Sequence, residues 1–193
     1  MMPDIRAAAT LVLLRATAHG PAVLMGQRGA AAAFMPSKYV FPGGAVDPAD
    51  HADAGDADPR LALHCPENAP SPTALYNAAR RELHEETGLT LPATAPLRFI
   101  FRAITPPGRS RRFDARFFLA DAAHLTMDPD AFTGDAELTH LHWVPLTNTR
   151  PLDLPFITEV VLAEVASLAK GNNQPGVPFF DNSGDIPTFR RLV

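Results

Sequence analysis

The feature of this 193-residue sequence that most constrains its fold is a run of glutamates inside one clearly delimited helix. Ser71-Pro72 has the form of an N-cap followed by proline in the first turn, and Gly88 suits the left-handed residue that ends a helix. A helix is therefore predicted between these two signals. Glu82, Glu85 and Glu86 are spaced i, i+3, i+4 within it, so three carboxylates share one helical face.

Like charges at this spacing repel one another, and the helix gains no stability from them. A bound divalent cation would resolve the repulsion, and carboxylate oxygens suit Mg²⁺ or Mn²⁺. A solvated acidic face is the alternative that the spacing alone leaves open. Arg81 stands four residues before Glu85 and can orient that carboxylate, while an adjacent apolar stripe that includes Leu75 and Leu83 can anchor the helix to a sheet.

The surrounding residues extend this pattern. Phe41-Pro42-Gly43-Gly44 ends a predicted strand, and the segment R-E-L-H-E-E-T-G-L follows over residues 81–89. Together they resemble the Nudix box, G-x5-E-x7-R-E-U-x-E-E-x-G-U, where U is a bulky apolar residue. The second half matches at every fixed position. In the first half, Asp50 stands where the box has its first Glu, and an Asp-rich insertion at about 47–70 separates the two halves.

The resemblance implies an α/β fold, a Nudix-type α/β/α sandwich around a mixed sheet, with the box forming a loop–helix–loop. It also implies a metal-dependent hydrolase that cleaves the diphosphate linkage of a nucleoside diphosphate derivative with Mg²⁺ or Mn²⁺. Carried over residue by residue, the metal positions are Gly44, Glu82, Glu85 and Glu86, and Arg81 orients them. For the general base we predict Glu137, which lies in a Gly-containing loop before a strand, with an exposed loop acid as the alternative.

The substrate is less constrained by the sequence. Arg28 and Phe41 have the separation found in coenzyme A diphosphatases, but the positions between them do not match. The segment R-F-D-A-R-F-F over 112–118 is similar to a Nudix branch with a long insertion in the box, some members of which act on coenzyme A and its esters. Coenzyme A or an acyl-CoA is therefore the first expectation, ADP-ribose or a dinucleotide the second, and a non-catalytic nucleotide-binding module the alternative of another class. Residues predicted to bind substrate are Arg28, Arg109, Arg112, Phe113 and Arg116.

Strand and helix patterns alternate irregularly along the chain, which favours a mixed α/β fold. We predict a single domain over 1–171, with the insertion outside the core, followed by a proline- and glycine-rich tail at 172–193. Apolar residues at 46% and charged residues at 20% are typical of a globular protein. The single cysteine excludes an internal disulfide framework.

The remaining expectations concern partners and location. A formal charge of −4 argues against a general nucleic-acid binder, and no apolar run is long enough to cross a membrane. The expected partner is thus a small nucleotide-type diphosphate, and the family resemblance adds a possible homodimer. Residues 6–18 resemble a signal peptide superficially, but the apolar run is short and Asp4 offsets Arg6. A buried strand entering a turn explains them better, so a cytoplasmic protein is expected.

Overall fold

The computed structural model describes residues 3–51, 60–61 and 69–193. Within these residues, nine strands form one sheet and the helices α1 and α2 pack against it. In chain order, the elements are β1 (Ile5–Thr17), β2 (Gly20–Arg28), β3 (Tyr39–Val40), β4 (Gly43–Ala45), a 3-10 turn (Pro48–His51), α1 (Pro72–Thr87), β5 (Arg98–Ile104), β6 (Arg112–Asp121), a 3-10 turn (Ala122–His124), β7 (Leu138–Pro145), α2 (Phe156–Ala169), β8 (Val177–Asp181) and β9 (Thr188–Leu192).

The sheet is mixed, and β1 lies at its centre. The strand order is β3-β2-β1-β6-β5-β8-β9, while β4 pairs with β1 and β7 pairs with β2. β1 runs parallel to β6 and antiparallel to β2 and β4. The apolar run that resembled a signal peptide forms this central strand, because a strand covered on both faces needs apolar residues at successive positions.

Each face of the sheet has its own core. Leu75 and Leu83 of α1 pack on one face with Leu11 of β1, and Val161 and Val165 of α2 pack on the other face with Val12. Alternation along β1 sends neighbouring residues to opposite sides, so one strand serves both cores. This arrangement of helix, mixed sheet and helix confirms the predicted α/β/α sandwich.

The structure differs from the expectation of a tail after residue 171. β8 pairs in parallel with β5, through Arg102↔Phe179, and β9 pairs antiparallel with β8. Val177 and Leu192 are buried in the core on the α1 side. The segment that contains β8 and β9 is rich in proline and glycine, so its local sequence does not predict strands. These residues form strands because they pair with distant residues of the sheet.

The insertion is also more integrated than expected. Asp50, at its start, is only 4% exposed, and Asn77 of α1 donates a hydrogen bond to its carbonyl oxygen at 3.0 Å. Leu61 is 1% exposed and belongs to the core beneath α1. The prediction that the insertion lies outside the core is therefore wrong for these residues, while its other parts, 52–59 and 62–68, lie outside the described residues.

The burial of Leu61 predicts that its side chain contributes to the stability of the fold. Leu61→Ala should lower the free energy of unfolding by about 2–4 kcal/mol, because it removes a fully buried side chain and leaves a cavity. Chemical denaturation measures this change, and Ile186→Ala, at a position that is 79% exposed, is the matched control. A loss no larger than that of the control would show that the insertion does not support the core.

No helix among the described residues combines the length and the apolar character needed to cross a bilayer.

Candidate active site

The helix α1 begins and ends at the predicted signals. The Ser71 hydroxyl oxygen accepts a hydrogen bond from the Ala74 N–H at 3.1 Å, which caps the first turn. At the other end, Gly88 adopts φ 72° and donates its N–H to the His84 carbonyl oxygen. This is a conformation that favours glycine, so the chain turns away directly after the acidic segment.

The three glutamates on α1 lie in different environments. Glu86 is 4% exposed, the Glu82 side chain is 15% exposed, and the Glu85 side chain is 54% exposed. The Glu86 Oε2 atom accepts a hydrogen bond from the Gly43 N–H at 2.9 Å, which joins the helix to β4. The shared helical face therefore grades from a buried carboxylate to a solvated one.

Gly44 is required by the close approach of β4 to this helix. A Cβ atom at Gly44 would lie 2.3 Å from Oε1 of Glu82, far inside van der Waals contact. Any side chain would push the Glu82 carboxylate out of its place. The Phe-Pro-Gly-Gly segment thus supplies an N–H to one glutamate and leaves space for another.

Arg81 connects the acids of this site. Its guanidinium donates to both oxygens of Asp50 at 3.0 Å, to Glu82 at 2.9 Å and to Glu85 at 2.8 Å. It also donates to the Ala45 carbonyl oxygen at 3.0 Å. The hydrogen bonds that Arg81 donates to the Asp50 carboxylate raise the pKa of Arg81, so this side chain stays cationic.

Asp50 has a definite position, which the box pattern alone left in doubt. Its buried carboxylate holds Arg81 through two hydrogen bonds and also accepts the Asp47 N–H at 2.8 Å. A bidentate pair of this kind fixes the guanidinium plane as well as its position. Asp50 therefore orients Arg81, and Arg81 in turn orients Glu82 and Glu85.

Burial dominates the electrostatics of the two inner glutamates. The pKa of Glu86 is raised to about 8, chiefly by desolvation and also by the charges of Glu82 and Asp135, while the Gly43 N–H and the charge of Arg28 oppose the change. Desolvation also raises the pKa of Glu82. Two carboxylates in a poorly solvated space require a cation to be ionised together near neutral pH.

Glu86 therefore gives the metal-free protein a characteristic pH dependence. Folding raises its pKa from the ordinary 4.5 to about 8, so its stabilising contribution is complete below pH 4.5 and is lost as pH rises through 8. Glu86→Gln should raise the melting temperature of chelator-treated protein at a pH of about 8.5, and should change it little at about pH 5. Thermal unfolding at both pH values, with Glu159→Gln as control, measures the difference. An effect independent of pH would contradict this reading.

The donor set fits a hard divalent cation in its chemistry. The candidate ligands are carboxylate oxygens, no cationic side chain among the described residues bonds the buried Glu86 carboxylate, and Gly44 keeps the adjoining space open. Among the residues that the structure describes, no three acidic, histidine or cysteine side chains converge closely enough to hold one ion as they stand. Glu82 and Glu85 each bond Arg81 through one carboxylate oxygen, which leaves the second oxygen of each side chain for a shared ion once the three glutamates draw closer together.

Arg28 lies beside the acidic cluster at the end of β2. Its charge lowers the pKa of Glu86, which places it within electrostatic reach of that carboxylate. The Arg28 Nε atom is buried, and it has no hydrogen-bond partner in the part of the chain that the structure describes. An unsatisfied buried donor carries a cost that an anionic ligand can remove.

The loop before β7 is held against the same site. The Thr133 N–H donates to the Thr87 carbonyl oxygen at 3.1 Å, and the Gly29 N–H donates to the Glu137 carbonyl oxygen at 3.2 Å. Within the loop, Asp135 Oδ1 accepts the N–H groups of Glu137 and Leu138 at 2.8 and 2.7 Å. Asp135 was missed in the sequence analysis. Its signal was an aspartate two residues before the predicted base, a spacing that suits an Asx turn.

Substitutions in this loop distinguish the roles of Glu137 and Asp135. Glu137→Gln should lower kcat by about 10²-fold or more with little change in KM, since a general base acts mainly in the transition state. Asp135→Asn should cost less, because the amide oxygen can still accept both loop N–H groups. Steady-state kinetics decides the assignment. A larger loss of kcat for Asp135→Asn would transfer the role to Asp135.

The structure gives different surroundings to the three arginines on and before β6 that were predicted to bind substrate, which are Arg109, Arg112 and Arg116. Arg112 is buried and donates to the carbonyl oxygens of Thr105 and Ser183, both at 3.1 Å. Arg116 is buried and pairs with Asp114 at 3.0 Å. Their guanidinium groups serve internal contacts, so the expectation that Arg112 and Arg116 bind substrate is not supported.

Strand alternation explains why the prediction of substrate binding by Arg112 and Arg116 is not supported. Residues four apart on β6 lie on the same face of the sheet, and for Arg112 and Arg116 that face is covered. Arg109 is exposed in the turn before β6. The internal contacts of Arg112 and Arg116 do not bear on its predicted role in substrate binding. Phe113, on the other face of the strand, packs edge-to-face on Phe34 with ring centroids 5.3 Å apart.

Comparison with known proteins identifies the family. A family model described as the NUDIX domain matches residues 69–165. The crystal structure of a NUDIX hydrolase from Alicyclobacillus acidocaldarius is 30% identical in sequence, with a TM-score of 0.65, over 86% of this chain and 93% of that chain. The chain belongs to the Nudix hydrolase family. The matched segment of this Nudix hydrolase begins at the end of the insertion, so Gly44 and Asp50 precede it.

Two more distant structures share the Nudix fold. The NUDIX domain of Shewanella oneidensis NrtR, crystallised with ADP ribose, is 16% identical with a TM-score of 0.59, over 86% of this chain and 88% of that chain. A C. elegans Ap4A hydrolase is 18% identical with a TM-score of 0.60, over 86% of this chain and 99% of that chain. At this level of identity the similarity concerns the fold.

Proposed function

We propose that this Nudix hydrolase cleaves the diphosphate linkage of a nucleoside diphosphate derivative with Mg²⁺ or Mn²⁺ bound at the acidic face of α1. The observation that carries this proposal is the juxtaposition of a buried carboxylate, Glu86, with the buried Nε–H of Arg28, for which residues 3–51, 60–61 and 69–193 offer no hydrogen-bond acceptor. A bound cation would stabilise the charge of the Glu86 carboxylate, and a bound anion would accept the hydrogen bond of the Arg28 guanidinium. A divalent metal and a diphosphate satisfy both together.

In this proposal, each residue of the site has a separate task. Glu82, Glu85 and Glu86 hold the metal together with the Gly44 carbonyl oxygen, and Arg81 keeps Glu82 and Glu85 in place. When bound, the metal supplies charge neutralisation at the phosphate oxygens and activation of water. Arg28 donates its Nε–H to a phosphate oxygen, and Glu137 accepts the proton of the attacking water.

Coenzyme A or an acyl-CoA is the substrate class that we place first, with ADP-ribose or a dinucleotide as the alternative. The R-F-D-A-R-F-F segment on β6 supports the first. The alternative, ADP-ribose or a dinucleotide, is supported by two proteins of similar fold, the NrtR domain crystallised with ADP ribose and the C. elegans Ap4A hydrolase. The presence of all three box carboxylates favours catalysis over a role in binding alone.

A substrate panel tests the proposal. Coenzyme A, an acyl-CoA, ADP-ribose, diadenosine tetraphosphate and a nucleoside triphosphate are each incubated with Mg²⁺, with Mn²⁺ and with chelator. Products are separated by chromatography and identified by phosphorus NMR. We expect metal-dependent cleavage of a diphosphate linkage in at least one nucleoside diphosphate derivative, and its loss in Glu86→Gln. Cleavage that persists in chelator, or equal cleavage by the variant, would overturn the proposal.

A further inference from the structure

A concave site lies where the first residues of β1 and β6 meet. The two strands pair there in parallel, with Ile5 opposite Arg112 and Arg6 opposite Phe113. A cavity of about 400 Å³ opens at this end of the sheet. Its lining includes Asp4, Arg6, Ser110, Arg111, Arg112 and Phe113. Its volume falls within the range of small-ligand sites, which is roughly 300–1,000 Å³.

The lining of this cavity is basic. It contains three arginines and one aspartate. Arg112 is occupied by backbone carbonyl oxygens, so it contributes charge but few donors. Among the residues that the structure describes, Arg6 has only a loose ion pair with Asp47 at 3.7 Å, and Arg111 makes no side-chain hydrogen bond or ion pair. Two guanidinium groups are therefore available to an anionic ligand.

One wall of the cavity is aromatic and firmly held. Phe113 packs on Phe34, and the Ser110 hydroxyl donates to the Ala33 carbonyl oxygen at 3.1 Å. These contacts join the segment between β2 and β3 to the turn between β5 and β6. A flat apolar surface beside two guanidinium groups suits a ligand that combines a planar base with a phosphate.

The cavity connects to the acidic site through the segment that follows β4. Arg6 contacts Asp47, and Asp47 lies 3.9 Å from Arg81. The Val46 N–H bonds the Ala7 carbonyl oxygen, so this segment continues along β1 towards Arg6. Asp47 lies three positions after Gly44, a distance of about 10 Å in extended chain. The nucleoside end of a substrate whose diphosphate lies at Gly44 can span that distance.

We propose that Arg6 and Arg111 bind a phosphomonoester carried on the ribose of the substrate, at its 2′ or 3′ position, with Phe113 beside the base. This inference rests on the proposed function, because it assigns the distal end of the same substrate. A phosphomonoester is dianionic and accepts paired hydrogen bonds from guanidinium groups, which matches two available arginines better than a neutral ribose does.

Kinetics with paired substrates tests the assignment. Coenzyme A is compared with 3′-dephospho-coenzyme A, and ADP-ribose with its 2′-phosphate. Arg6→Gln and Arg111→Gln should each lower kcat/KM about tenfold for the phosphorylated partner, and less than about twofold for the other. Arg98→Gln is the matched control, since Arg98 is exposed at the opposite end of the β5–β6 pair. Equal losses on both members of a pair, or none, would overturn the assignment.

A binding measurement separates this inference from the proposed function. Calorimetry compares adenosine 3′,5′-bisphosphate with AMP, without metal and without turnover. Tighter binding of the bisphosphate that is lost in Arg111→Gln supports the cavity, even if no diphosphate of the panel is cleaved. Metal-dependent cleavage with equal affinity for the two ligands leaves the proposed function standing and removes the cavity assignment.

Discussion

Glu86→Gln is expected to lower kcat for metal-dependent diphosphate cleavage by about 10³-fold or more, because the charge that holds the cation is removed. The variant should remain folded. The Gly43 N–H can still donate to the amide oxygen, and the uncharged side chain suits its buried position better than the carboxylate does. Steady-state kinetics at saturating Mg²⁺ measures the loss, and circular dichroism verifies the fold.

Glu159→Gln is the control for this experiment. Glu159 is an exposed acid in the first turn of α2, on the opposite face of the sheet from α1. The same chemical change there should leave kcat within about twofold, as for a surface substitution away from the site. A folded Glu86→Gln enzyme with the kcat of the control would remove Glu86 from the metal site.

Arg81→Gln is expected to produce the largest loss of stability among single changes at the site. It leaves the Asp50 carboxylate, which is 4% exposed, without the guanidinium that now bonds both of its oxygens. Breaking a buried ion pair from one side typically costs about 3–5 kcal/mol. The solvent access of Arg81, whose side chain is 23% exposed, places the expected loss at the lower end, about 3 kcal/mol.

A double variant distinguishes this cause from a general loss of packing. Adding Asp50→Asn to Arg81→Gln removes the unpaired charge, so the free energy of unfolding should recover by at least about 1 kcal/mol. Chemical denaturation of both single variants and the double variant measures the coupling. Additive losses would mean that the Asp50–Arg81 pair does not organise the site.

The helix α1 was predictable because its signals are local. Ser71 and Gly88 act on their own turns, and the shared face of the three glutamates follows from helical geometry alone. The family resemblance then supplied the sandwich fold, which packing on both faces of β1 confirms.

The features that sequence reasoning missed depend on distant partners. Asp50 and Leu61 lie in an Asp-rich segment without periodicity, and only the contacts of Asp50 with Arg81 and the burial of Leu61 reveal their place. β8 is a strand because β5 lies beside it. Arg112 appeared available for substrate because its acceptors are carbonyl oxygens up to 71 positions away. Such partners leave no periodic trace in a sequence.

Metal binding in the absence of substrate tests the central claim most directly. Mn²⁺ is titrated into the wild-type protein, Glu86→Gln and Glu159→Gln, and free Mn²⁺ is followed by electron paramagnetic resonance. We expect the wild type and Glu159→Gln to bind alike, and Glu86→Gln to bind at least about tenfold more weakly, since it lacks the most buried of the three glutamates on α1. Equal Mn²⁺ affinity in all three proteins would contradict a metal site on the acidic face of α1.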